Sequence, residues 1–204
     1  MKTKKTVLSY SKIYRKALQT ARLDNVEPRI SAYSKRLSEM YASDNFKEHN
    51  IYPTMNVVLI YAVIAMCLEL RKAGLSDSDI IDSINSGFRR RRRFFQNLIK
   101  FINLLPNSFE IVKRWNINDH EKRVKDGSIT YDVFDVTKDK VEYSISKCMY
   151  VEMFEYYGIR SLCRIFCMTD ERSYAGLTRH VEFIRHSDLS IGNCCHDEVI
   201  RRRN

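Results

Sequence analysis

Glycine and proline are scarce in this chain, six and three among 204 residues. So few backbone breakers exclude a loop-built or low-complexity protein and leave long regular elements as the expectation. No C-x-x-C occurs among the six cysteines, so the sequence holds neither paired zinc knuckles nor a thioredoxin-like redox motif. No G-x-G-x-x-G follows a strand pattern and there is no P-loop, so no organic cofactor is expected. The basic start, MKTKKTVLSYSK, lacks the apolar run of a signal peptide. The most apolar stretch, MNVVLIYAVIAMCLEL, contains Asn56 and ends at Glu69. It falls short of the roughly 20 residues that cross a bilayer and reads as a buried core helix, with no membrane expected. The expected compartment is the cytoplasm, where thiols stay reduced, and this argues against a disulfide framework.

What is present is a globular composition, 44% hydrophobic, long enough to bury a core without staples. The net charge of +10 is concentrated. Arg89 to Arg93 supply five positives and Arg201 to Arg203 three more, so the basicity belongs to two patches rather than to the whole surface.

Residues 1–120 read as helical, with apolar positions three and four apart through Val7–Leu23 and Ile30–Tyr41. Pro53 marks a helix start and Gly74 its stop. Ser76 with Asp79 forms a capping-box pattern for a helix reaching about Leu105, before Pro106, with Gly87 as an expected interruption. After Gly127 the period changes. YDVFDV and VEYSISKC alternate, placing Val141, Tyr143 and Ile145 on one face, and Thr137–Lys140 has hairpin length. Helical spacing returns on either side of Gly158, and HVEFIRH and CHDEVIR follow as strands. The expected fold is therefore α+β: a helical N-terminal part, then a small strand-strand-helix-helix-strand-strand unit. Residues 1–120 and 121–204 are expected to form the two parts of one compact domain.

Five of the six cysteines fall in the last third. Cys148 and Glu152 are four apart, as are Cys163 and Cys167, with Asp170 three further on. Two packed helices can bring these groups together. Cys194 and Cys195 are neighbours on a strand and face opposite ways, so only one can join. Each cysteine has an ordinary alternative as a small buried hydrophobe, and Cys67 in the apolar helix reads as packing. A zinc site drawn from the C-x3-C pair and the vicinal Cys194–Cys195, with His196 as a fourth ligand, is a secondary expectation, and a redox pair a weaker one. For a nucleophile or acid–base site, Cys148 follows Lys147 and opens a helix, two features that lower a thiol pKa. Glu152 or His196 can then serve as base.

The string K-C-x-x-x-E-x-F-x-x-x-G, then L-C-x-x-x-C-x-x-D, then Arg185, Leu189, Gly192 and Cys195, resembles the L-2-amino-thiazoline-4-carboxylic acid hydrolase family over about residues 130–203. The resemblance implies hydrolytic opening of an aminothiazoline ring to N-carbamoyl-cysteine, with Cys148 or Glu152 at the reacting centre. Cys163, Cys167, Asp170, Cys195 and His196 line it, and Arg185 offers a donor fork to a substrate carboxylate. In the family pattern an aspartate directly follows the final cysteine. Here His196 intervenes and Asp197 comes second, which implies a shifted role for that group or a shifted substrate.

Two other function classes stay open. One is a ligand- or metal-sensing module using the same cysteines without turnover. The other is a polyanion binder acting through Arg89–Arg93, with nucleic acid the lesser expectation because consecutive arginines spread around a helix. Phe94, Phe95, Leu98, Ile99 and Ile102 read as core spacing, and Arg201–Asn204 as a frayed, soluble end. The apolar helix from Met55 suits a core or a partner subunit, so a homo-oligomer also stays open.

Overall fold

The computed structural model describes residues 2–202, with side chains from Thr6 onward. The first residues of the basic start, together with Arg203 and Asn204 of the expected frayed end, lie outside the described part. The fold is α+β, an N-terminal helical bundle followed by a strand-strand-helix-helix-strand-strand unit. The chain divides into two compact units, Met1–Arg91 and Arg92–Asn204.

In the first unit α1 (Lys2–Thr20), α2 (Val26–Ala42) and the short α3 (Asp44–Glu48) surround α4 (Thr54–Lys72). Helix α4 is long and apolar enough to cross a membrane, yet Val57, Ile60, Tyr61, Ile64 and Leu70 are fully buried in the bundle core. Its one acid, Glu69, is buried and takes the guanidinium of Arg36. Pro53 precedes the helix, and Gly74 closes it at φ +86°, with Leu75 N donating back to Leu70 O.

Helix α5 (Asp77–Asn103) begins at the expected box. Ser76 Oγ accepts from Asp79 N at 3.2 Å and donates to the Asp79 carboxylate at 2.6 Å. It is not interrupted at Gly87. That glycine is a close approach instead: a Cβ there would lie 2.7 Å from the Ile13 carbonyl oxygen of α1. With the helix continuous, the five arginines wind around it and form no single stripe. The apolar residues after them divide. Ile99 and Ile102 enter a core, whereas Phe94 (81% exposed), Phe95 and Leu98 stay on the surface, contrary to the core spacing their sequence suggests. Periodicity cannot tell a core stripe from an uncovered one.

The second unit is a four-stranded antiparallel sheet in the order β1-β2-β4-β3, from β1 (Ile129–Val136), β2 (Lys140–Cys148), β3 (Val181–Ser187) and β4 (Cys195–Arg201). Helix α6 (Ser108–Lys125) packs on β1, β2 and β4. Between β2 and β3 run α7 (Met149–Tyr156), a 3-10 turn (Arg160–Cys163) and α8 (Arg164–Tyr174), which lies against β3. Gly158, at φ +67°, parts α7 from the turn. One sheet face changes character along the strands. Val136, Val141, Val199 and Phe183 form an apolar row, of which Val141, Val199 and Phe183 pack with Phe109, Val112 and Leu177 while Val136 is exposed at the edge. The row two residues on is Phe134, Tyr143, Asp197 and Arg185, and Ile145 and Cys195 lie beyond it. Arg201 is not frayed: it ends β4, donates to Asp139 Oδ1 at 2.8 Å, pairs with Glu110 and covers the ring of Phe109.

In a free helix interior, Gly→Ala gains about 1 kcal/mol. Gly87→Ala is expected to do the reverse, costing about 1–3 kcal/mol because α1 must shift. Urea denaturation checks this, and an unchanged or raised midpoint contradicts the close approach.

Candidate active site

The polar end of that sheet face gathers most of the residues singled out from the sequence. Arg185 on β3 meets Asp197 on β4 in a two-bond fork, Nε to Oδ1 at 2.8 Å and Nη2 to Oδ2 at 2.7 Å. Only 1% of the Asp197 side chain and 10% of that of Arg185 are exposed. Arg185 Nη1 donates to the Cys167 carbonyl at 2.7 Å and lies 3.5 Å from Glu171 Oε1, while Nη2 lies 3.5 Å from Asp170 Oδ2. Burial would lower the arginine pKa, but the bonds and charge of Asp197 outweigh it and the value is raised. The guanidinium is a fixed cation that ties β3, β4 and α8 together. Its fork is already filled, so the geometry gives it a positioning part rather than a free grip on a substrate carboxylate.

The thiols surround this pair. Cys195 is buried, with Sγ 3.5 Å from Asp197 Oδ2. Cys163 is buried and hydrogen-bonded to Cys167, and Cys148 and Cys195 both lie within electrostatic reach of Cys167. Asp188, 5% exposed, accepts from Ser190 N and Oγ, and Cys167 lies beside it. Burial alone would raise the Asp188 pKa, but these donors reverse it, so this carboxylate is held ionised.

Cys148 is not a helical residue. It ends β2 and occupies the cap position of α7, and the expectation of an activated thiolate is corrected here. Burial pushes its pKa up to about 11, although the N–H groups of Tyr150 and Val151 pull it down as a helix start should. Burial also raises Cys195, and the bond to Cys167, with burial, raises Cys163. These three thiols are neutral at physiological pH.

Asp170 differs. Its side chain is 57% exposed, yet enough protein surrounds it that burial, partly offset by Arg185, raises its pKa from 3.8 to about 6. A solvent-reached carboxylate that titrates near neutrality has the properties of a general base. Tyr131 lies within electrostatic reach of Asp170 and Cys148, and Tyr143 and Tyr174 of Asp170 and Asp197. Asn116 on α6 exchanges hydrogen bonds with the Tyr174 hydroxyl at 3.0 and 3.1 Å.

Two sequence candidates lie elsewhere. Glu152 is on the exposed face of α7. His196 is on the opposite sheet face from Cys195, bonded to Glu142 at 3.0 Å and tilted against His186. Of the vicinal pair, Cys195 points into the cluster and Cys194 meets Ser187 Oγ at 3.4 Å. Among the described residues, no three His, Cys, Asp or Glu side chains are placed to hold one metal ion.

Sequence reasoning missed the tyrosines, Asn116, Asp188 and the structural weight of Asp197. The parity of CHDEVIR already put Asp197 on the face of Cys195. For the α6 residues, a polar helix whose contacts come from distant strands, no local signal existed. Comparison with family models matches residues 58–197 to the L-2-amino-thiazoline-4-carboxylic acid hydrolase family. No curated protein and no solved structure matches the chain significantly.

Asp197→Asn leaves Arg185 buried without its carboxylate and is expected to cost about 3–5 kcal/mol in chemical denaturation. Arg185→Met with Asp197→Leu should recover much of that loss. Asp170 works the other way. Its folded pKa is raised, so its contribution to stability is present below the unfolded value and is lost as pH rises through about 6. Asp170→Asn should therefore gain stability over the wild type above about pH 7 and not below about pH 4.

Proposed function

Because the chain belongs to the L-2-amino-thiazoline-4-carboxylic acid hydrolase family, we propose that its second unit opens a small cyclic amidine, amide or thiazoline by attack of water at the Asp170–thiol cluster. The observation that carries this reading is Asp170, an accessible carboxylate with a pKa of about 6, beside thiols held neutral.

On an aminothiazoline carboxylate, Asp170 takes a proton from water, and the oxygen bonds to the ring carbon that carries nitrogen and sulfur. The electron pair of the carbon–nitrogen double bond moves to the ring nitrogen. As the tetrahedral intermediate collapses to a carbonyl, its hydroxyl proton goes to that nitrogen and the carbon–sulfur bond breaks. The proton held by Asp170 passes to the leaving sulfur, and the product is N-carbamoyl-cysteine. Cys148, with a pKa of about 11, serves better as a hydrogen-bond donor to developing charge than as a nucleophile. Arg185 and Asp197 keep α8 against the sheet and fix Asp170 in place. Cys163, Cys167 and Cys195 supply a soft, low-dielectric lining that suits a sulfur-containing ring. A ligand-sensing module would use the same cluster without consuming its ligand.

The test is a mass-spectrometric assay with L- and D-2-aminothiazoline-4-carboxylate, following the gain of one water. Asp170→Asn is expected to lower kcat by about 10²–10⁴-fold and to abolish an acid limb near pH 6 in the wild-type profile. Cys148→Ser should keep part of the activity, because a hydroxyl still donates. Full loss in Cys148→Ser with little change in Asp170→Asn would move the reaction to the thiol. No turnover by folded wild type with any cyclic amidine would leave the sensing role.

A further inference from the structure

Arg185 is spoken for, yet a carboxylated ring needs a cation. Arg123, in the last turn of α6, is another guanidinium coupled to these groups. Its Nε donates to Asp119 Oδ1 at 3.2 Å, one turn back on the same helix. Its side chain is 19% exposed, and Nη1 is buried without a hydrogen-bond partner among the described residues. A buried donor on a charged group without an acceptor is expensive, and native structures keep few of them. Tyr150 is hydrogen-bonded to this guanidinium, and both Cys148 and Tyr131 lie within its electrostatic reach. The guanidinium that carries the unsatisfied donor is thus coupled to Cys148 and to Tyr131, which is itself coupled to Asp170. Burial penalises the cation and Asp119 restores it, so Arg123 stays charged.

We propose that Arg123, with the Tyr150 hydroxyl, is the anion-reading group of the site and seats the carboxylate of a small ring acid. Asp119 occupies the Nε side, and the incoming carboxylate supplies the acceptor that Nη1 lacks. The ligand is then held by its acid group at Arg123, with its ring toward Cys148 and Asp170. The ring chemistry rests on the hydrolase reading above; the anion contact does not.

Two probe pairs separate them: acetate against acetamide, followed by NMR of the arginine side-chain NH groups, and N-carbamoyl-L-cysteine against its amide, followed by calorimetry. Acetate should shift the Arg123 signal saturably and acetamide should not. Arg123→Gln should weaken carboxylate binding by about 10–100-fold and leave the amides unchanged, the range expected for charge-assisted hydrogen bonds. Should that variant fail to fold, Asp119→Asn decides. Removing a competing carboxylate should strengthen acetate binding severalfold, whereas a purely structural ion pair predicts weakening. Carboxylate binding that survives Arg123→Gln, or acetate that acts no differently from acetamide, overturns the proposal. Acetate binding through Arg123 without turnover of any aminothiazoline leaves the anion site standing and removes the hydrolase reading.

Discussion

The fork between Arg185 and Asp197 is the constraint on which the second unit depends. It joins β3 to β4 inside the fold, and its remaining donors reach the α8 backbone and Asp170. A buried ion pair is a poor source of net stability, since desolvation consumes most of the attraction. Its worth here is geometric. A flat guanidinium with fixed donor directions admits one arrangement of two strands and a helix, and the position of Asp170 follows from it.

Around this fixed pair the site divides its labour by environment. Asp188 is held ionised by donors, Asp170 is lifted toward neutrality by burial, and the thiols of Cys148, Cys163 and Cys195 stay protonated. Groups with pKa values pushed apart are what acid–base chemistry at neutral pH requires.

The fold was largely legible in the sequence because its signals are local. The alternation of VEYSISKC and CHDEVIR, the Ser76–Asp79 cap and the stops at Gly74 and Gly158 all act within a few residues. The site was legible only in part. Cys163, Cys167 and Asp170 share one helical segment, so spacing could group them. For Cys148 the sequence displays a helix start that lowers a thiol pKa, but burial against distant elements outweighs it. Arg123 and Asp119 carry no local mark at all. They matter through what α6 is laid against, and a polar helix end looks the same whether it faces water or a reacting centre. The exposed Phe94 is the converse case, a core-like position left on the surface.

Strand β4 lies between β2 and β3, and its residues alternate between two unlike surfaces. Cys195 and Asp197 enter the thiol cluster, while His196 and Glu198 join Glu142, His186 and Lys140 in a charged network on the reverse side. The strand is thus a two-track record in which odd and even positions answer to separate demands. A shift of the strand by a single residue would send an imidazole into the thiols and the aspartate out to water. Asp197, two places after Cys195, stands on the same track as that cysteine, where an immediate neighbour would stand on the other.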